Sequence, residues 1–183
     1  MLETNFSPFP EIQTKRLLLR RMVLADAPEV MAMRSDDAVM RYIDRPKTKT
    51  REEAEAWIQL VDDSLTNNNG IAWAITLAAE PDKLIGNISF WRIIKQHYRA
   101  EIGYMLMPAH WRTGIMKEAI LAVHDFGFKQ MQLHSIEAHI NPANTASAAI
   151  LEATGYTREA YFKEDYFFQD KFLDTAIYSL LQK

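Results

Sequence analysis

Cysteine is missing from all 183 residues. That excludes disulfides, thiolate metal sites, Fe–S clusters and a cysteine nucleophile together, and it suits a reducing, intracellular setting. Glycine and proline are scarce, at 6 and 7 residues, which excludes collagen-like and low-complexity chains. No surplus of positive charge exists either. The 21 basic residues face 24 acidic ones, for a formal net charge of -3, so nucleic acid is not expected as a principal partner. No stretch reaches the ~20 apolar residues of a membrane span, and no membrane partner is expected. Met1 to Pro10 contains Glu3 and lacks both a basic start and an apolar run, so it does not read as a secretory signal. The cytoplasm is the expected location.

What is present is 48% hydrophobic and 25% charged, the make-up of an ordinary globular protein. The length suits one domain, 1–183, with a short N-terminal arm, 1–11. Lys15 to Met22 has the apolar run of a strand. Asp26-Ala27-Pro28-Glu29 then supplies a cap, an early proline and an acid for a helix to Arg34. Asp36 to Lys49 reads mainly as loop. Thr50-Arg51-Glu52-Glu53 opens a second helix as a capping box, with Ala54, Trp57, Ile58 and Val61 on one face, and Asn67 to Gly70 breaks it. Ile71–Leu77 and Leu84–Arg92 flank the turn-rich Glu80-Pro81-Asp82-Lys83 as a hairpin.

Glu101 to Met107 reads as the fourth strand. After Gly114, apolar residues at 116, 119, 120, 123 and 126 recur at helical spacing to Lys129. Ser135–Ile140 is a strand, and Asn144 caps a short helix ending at Gly155, with Ala149, Ile150 and Ala153 read as its inward face. Two aromatic-rich strands around Gln169-Asp170-Lys171 close the chain. The expected order is β α α β β β α β α β β, an α/β (α+β) fold with an antiparallel first part and α/β alternation after it.

Two stretches carry chemistry. Leu106 to Ala119 is a strand, a turn and a helix start, where free N–H groups and the positive end of the helix dipole favour a phosphate or pyrophosphate. Arg112 and Lys117 add charge there. The same turn reads as an ordinary strand-to-helix connection, and G-x-x-x-x-G-K-[ST] is absent. Asn144-Thr145-Ala146-Ser147 opens the last helix and reads either as a capped packing helix or as part of a site.

The ordered series of motifs is similar to the GNAT superfamily of acetyl-CoA-dependent N-acetyltransferases, and to its RimJ/RimL-like branch. It runs from Thr14-Lys15-Arg16-Leu17-Leu18-Leu19-Arg20 through Ile85-Gly86-Asn87, Ala100-Glu101-Ile102-Gly103-Tyr104 and Trp111-x-x-Gly114-x-Met116-x-Glu118-Ala119. It continues with Asn144-x-x-Ser147, Gly155-Tyr156 and Asp174 to Leu181, and spans about Ile12 to Leu181. The resemblance implies a mostly antiparallel sheet, flanked by helices and splayed between its fourth and fifth strands. It implies that acetyl-CoA is held by Arg112, Thr113, Gly114, Met116 and Lys117 at its pyrophosphate. Its pantetheine would lie along the strand edge at Met105 and Met107, with Asn144 as a further contact. Two departures stand out. Met116 is large where relatives carry Gly or Ala, and Leu151 takes the place of a tyrosine that many relatives use to protonate the departing thiolate.

Acetyl transfer from a thioester to an amine needs a neutral amine, a stabilised oxyanion and a proton for the thiolate. The resemblance implies Glu101 as the base and Ser147 as the remaining hydroxyl near the thiolate, while a strand residue on a solvent face and a helix-start polar residue are their plainer readings. A backbone N–H such as that of Met105 would serve the oxyanion, and Tyr104 would line the acceptor pocket. The five histidines, at 97, 110, 124, 134 and 139, offer no compact ligand set, so no metal is expected. The acceptor pocket would be built from 36–48 and 163–171, with Glu164, Asp165 and Asp170 near an incoming ammonium. A protein N-terminus and a small-molecule amine are both open as acceptors, as is a homodimer. The competing reading is a non-catalytic acyl-CoA-binding or partner-binding module on the same fold, suggested by Met116 and Leu151.

Overall fold

Strand signals scattered over the whole sequence come together as one eight-stranded sheet in the computed structural model, which describes residues 1–182. The strands are β1 (Ile12–Gln13), β2 (Leu17–Arg21), β3 (Ile71–Leu77), β4 (Glu80–Ile94), β5 (Arg99–Leu106), β6 (Ser135–Ile140), β7 (Thr157–Phe168) and β8 (Lys171–Leu181). They lie in the order β1-β2-β3-β4-β5-β6-β8-β7. Every neighbouring pair is antiparallel except β5 with β6. That mixed, mostly antiparallel α/β architecture is the expected one. The parallel pair is brief: it holds Arg99, Ala100 and Glu101 against Ser135, Ile136 and Glu137, and beyond them β5 and β6 part.

Five helices flank the sheet: α1 (Ala27–Ser35), α2 (Asp37–Met40), α3 (Arg51–Thr66), α4 (Ile115–Lys129) and α5 (Thr145–Ala153). One core joins α4 and α5 to the sheet through Leu17, Leu19, Trp73, Ile88, Phe90, Ile120 and Val123, all fully buried. A smaller one seats α1 and α3 with Val30, Met33, Ala54 and Ile58 around Ala74 and Leu84. The α3 face follows its sequence pattern, with Ala54 and Ile58 buried and Trp57 packed beside them.

Local chemistry shifts several boundaries. Within the stretch read as loop, Asp36 accepts from the N–H groups of Ala38 and Val39 and starts the extra turn α2. Asp26 does not cap α1. Its buried carboxylate takes Arg20 Nη1 and Nη2 at 2.9 and 2.6 Å and the N–H of Val23, because a charge leaving water there needs a full set of partners. The β3–β4 turn lies at Ala78 and Ala79, and Pro81 falls inside β4 at an irregularity in the ladder, where its missing N–H costs no strand bond. On α5 the inward face is only partly the one read from sequence, with Ile150 packed on the core. Ala149 and Ala153 are exposed, while Leu151 is fully buried, packed with the core that also contains Tyr156 and Tyr178.

Candidate active site

Register decides which side chains share a face. Glu101 pairs with Trp91, Gly103 with Ser89 and Met105 with Asn87, and cross-strand partners lie on one face of a sheet. Glu101, Gly103 and Met105 therefore look to one side, while Ile102 and Tyr104 look to the other. Where β5 leaves β6 the two sides open into one cavity of about 590 Å³. Glu101, Tyr104, Met105, Asn144 and Ser147 all line it.

Glu101 sits at the point of divergence and is 3% exposed. Arg92 Nη1 donates to its Oε2 at 3.2 Å. Burial dominates over that partner and pushes its carboxyl up to about 7, with Glu137 adding to the rise and Arg92 opposing it. Glu137 on β6 was not singled out in the sequence, and His139 beside it was read only as one of five scattered histidines. Their ligand atoms and that of Glu101 lie within 4.8 Å of one another. This is a closer gathering than the histidine spacing suggested. Arg92 and Arg99 already face the two carboxylates, at 3.2 and 3.5 Å.

Across the cavity, Asn144 caps α5, its Oδ1 accepting from Ser147 N at 3.1 Å. The Tyr104 hydroxyl lies 3.4 Å from Ser147 Oγ, a long contact. Burial raises the Tyr104 phenol to about 12, so it stays protonated at neutral pH. Tyr104 thus lines the cavity as expected, but from the side of Ser147 and not of Glu101.

Backbone direction corrects a second detail. The N–H of Met107 donates to Ile85 O on β4, and the carbonyl of Met105 crowds Gly86, so the odd-numbered groups of β5 point into the sheet. Tyr98 O, of the other parity, accepts from β6. Successive backbone groups of a strand point to opposite edges. The N–H groups directed into the splay therefore belong to Tyr104 and Leu106, not to Met105 and Met107.

At the head of α4, Gly114 is left-handed (φ +79°) and no side chain caps the helix. The N–H groups of Ile115, Met116 and Lys117 open its first turn. Arg112, also left-handed (φ +61°), and Thr113, Gly114 and Lys117 are exposed there. A Cβ on Gly114 would meet only Arg16 Nη2, at 3.4 Å. Met116 does not crowd this turn with its side chain, which is buried in the core at 7% exposure. Arg16 braces the turn, donating through Nη1 to Thr113 O and through Nε to Glu118. These donors, open backbone and left-handed glycine fit a pyrophosphate.

The mouth is walled by Tyr42, Ile43, Asp44 and Arg45 on one side and by Asp165, Tyr166, Asp174 and Thr175 on the other. Arg45 Nη1 donates to the Tyr166 hydroxyl at 3.0 Å, joining the two walls. Of the three acids expected here only Asp165 lines the cavity. Deeper in, Asn87 is 5% exposed and its Oδ1 accepts no hydrogen bond among the described residues. No helix among the described residues is long and apolar enough to cross a membrane.

Comparison with known proteins bears on the family and the fold. Residues 16–157 match the family described as an acetyltransferase (GNAT) domain. A Bacillus subtilis (strain 168) protein named as the uncharacterized N-acetyltransferase YoaA is 33% identical over 174 residues, 95% of this chain and 98% of that protein. The crystal structure of a GNAT-family acetyltransferase from Bacillus anthracis aligns with a TM-score of 0.82 at 30% identity, over 94% of this chain and 98% of that one. RimL, the ribosomal L7/L12 α-N-protein acetyltransferase in complex with coenzyme A, shares the fold with a TM-score of 0.85 over 94% and 98% of the two chains, at 19% identity.

Proposed function

The chain belongs to the GNAT family and is an acetyl-CoA-dependent acetyltransferase, and on that premise we propose that it acts in the RimL manner, passing the acetyl group directly to a primary amine on a peptide N-terminus or a small molecule. One catalytic unit spans the chain. What carries the reading is the buried Glu101 at the point where β5 and β6 part, with the hydroxyl of Ser147 lining the same cavity and the uncapped start of α4 following the free end of β5 in the chain.

Acetyl-CoA supplies the activated acyl group. Its pyrophosphate is held by the backbone of Arg112, Thr113, Gly114, Ile115, Met116 and Lys117, with Asn144 touching the chain further in. The edge N–H groups of Tyr104 and Leu106 stabilise the oxygen of the acyl carbonyl as negative charge builds on it. Glu101 takes a proton from the arriving ammonium, a task suited to a carboxyl raised to about 7. As the tetrahedral intermediate collapses, Ser147 gives its proton to the departing thiolate and is reprotonated through solvent by the second proton that the nitrogen sheds, while Tyr104, a permanent donor, steadies the Ser147 oxygen.

Release of free thiol from acetyl-CoA, measured across a panel of amines, tests the proposal. Turnover with at least one primary amine is expected. Tight coenzyme binding without turnover on any peptide or small amine would make the chain a binding module.

A further inference from the structure

Two arginines at the acceptor end form no ion pair among the described residues. Arg34, at the end of α1, projects into the cavity with its guanidinium 4.7 Å above the ring of Trp57 and only its Nε bonded, to Thr48 Oγ1 at 3.1 Å. Arg45 lines the same cavity and spends Nη1 on Asp44 O and the Tyr166 hydroxyl. Burial, then repulsion from Arg45, holds the Arg34 guanidinium below its ordinary range. It is still charged, since arginine does not deprotonate in proteins. Arg34 is half-buried and Arg45 exposed, so it is Arg34 that is partly desolvated, and such a cation without a partner is costly unless something else supplies the countercharge.

Each acid of the cavity is engaged elsewhere or stands off from the two guanidiniums without closing an ion pair. Glu101 is engaged by Arg92. Asp174 accepts from the Tyr161 hydroxyl and from the N–H of Glu164. Asp165 is exposed on the β7 rim, where water screens it. Asp44 is pushed up by burial, with Arg45 opposing that rise. The charge of Arg45 lowers both the Arg34 guanidinium and the Glu101 carboxyl, so it stands within electrostatic reach of each.

We propose that Arg34 and Arg45 form an oxyanion subsite for the acceptor, so that the preferred substrate is a primary amine that also carries a carboxylate or phosphate. The amine lies at Glu101 and the anion between the two guanidiniums, whose unbonded N–H groups match the oxygens of either group. The substrate class rests on the acetyl-transfer reading above, while the anion subsite stands on the two arginines.

The test uses acetyl-CoA with ω-amino carboxylates and aminoalkyl phosphates of increasing length, against their uncharged amides and against diamines. Charge-assisted hydrogen bonds of this kind correspond to about a tenfold to hundredfold advantage in kcat/KM for the anionic acceptors, expressed in KM. Arg45→Gln, at an exposed residue with no folding risk, should bring that ratio toward one, and Arg34→Lys should lower it while keeping charge. Whichever of the two anionic series gains more identifies the natural group. Amides or diamines used as well as the anionic series would overturn the proposal and give recognition to Asp44 and Asp165. Calorimetry with N-acetylated ω-amino carboxylates separates the two readings. Binding that weakens about tenfold in Arg45→Gln upholds the subsite even where no amine turns over, whereas equal binding by both proteins sinks it.

Discussion

The turn before α4 and the mouth of the cavity are made differently. The turn before α4 is one short run of chain, Arg112 to Lys117, offering mainly backbone N–H groups and a helix dipole. The mouth is made of side chains from α1, α3, the 41–48 stretch, β4 and the β7–β8 hairpin. A backbone site tolerates side-chain change as long as its φ values and its open N–H groups survive. A side-chain site can be retuned by single substitutions, which is how one reaction chemistry comes to serve many acceptors.

Substitution inside the cavity should have the largest effect. Glu101→Gln should lower kcat/KM by ~10² to 10⁴ near neutral pH, with the deficit shrinking in a pH–rate profile as the amine supplies its own free base. The wild-type rate should climb as pH rises through about 7, where the Glu101 carboxyl ionises. Uniform loss at every pH with a raised KM would make Glu101 an ammonium-binding group and blur the comparison. The same residue has a stability signature. Below its ordinary pKa of 4.5 the carboxyl is protonated folded or unfolded, and between 4.5 and about 7 only the unfolded chain has released the proton. Stability should therefore fall by about 3 kcal/mol across that window and stay low above it. Urea melts of Glu101→Gln should lack this slope.

Next in size, Ser147→Ala should cost about 10² in kcat and leave acetyl-CoA affinity unchanged. Tyr104→Phe, which removes only the donor to Ser147, should cost less. Loss of affinity with intact kcat would assign Ser147 to coenzyme binding. Leu151→Tyr should not restore an acid, because that position is fully buried. Overpacking should destabilise the fold by about 1–3 kcal/mol, and a gain in kcat with unchanged Tm would refute the placement. The smallest effect belongs to the turn before α4. Lys117→Glu puts a negative charge in the first turn of α4, and should raise KM for acetyl-CoA about threefold to tenfold without changing kcat. A larger change would mean that side chains, and not backbone, hold the phosphates.

Much of this was legible in order along the chain. The 3.6-residue recurrence in α4, the Asn144 cap and the glycine at 114 each express a local rule, and each was found where the sequence put it. Local rules failed where a residue had a better partner a few residues away. Asp26 reads as a cap but answers Arg20, and Thr50 receives the N–H of Glu53 while the Glu53 carboxylate turns to Lys49 N. On α5 Leu151 is buried and Ala149, about 200° away around the helix, is exposed, a choice of face that the apolar pattern of nine mostly apolar residues does not resolve.

By itself the sequence determined most of the elements, their order and the turn before α4, though not the short β1 and α2, because caps, periodicity and left-handed glycines act within a few residues. Only the tertiary structure decided the rest. It set the edge of β5 that faces the splay, the burial that raises Glu101, the approach of Glu137 and His139, and the placing of Arg34 and Arg45 in the cavity without an ion pair among the described residues. Those features depend on register and on what desolvates each group. Both are fixed by contacts between residues far apart in the chain.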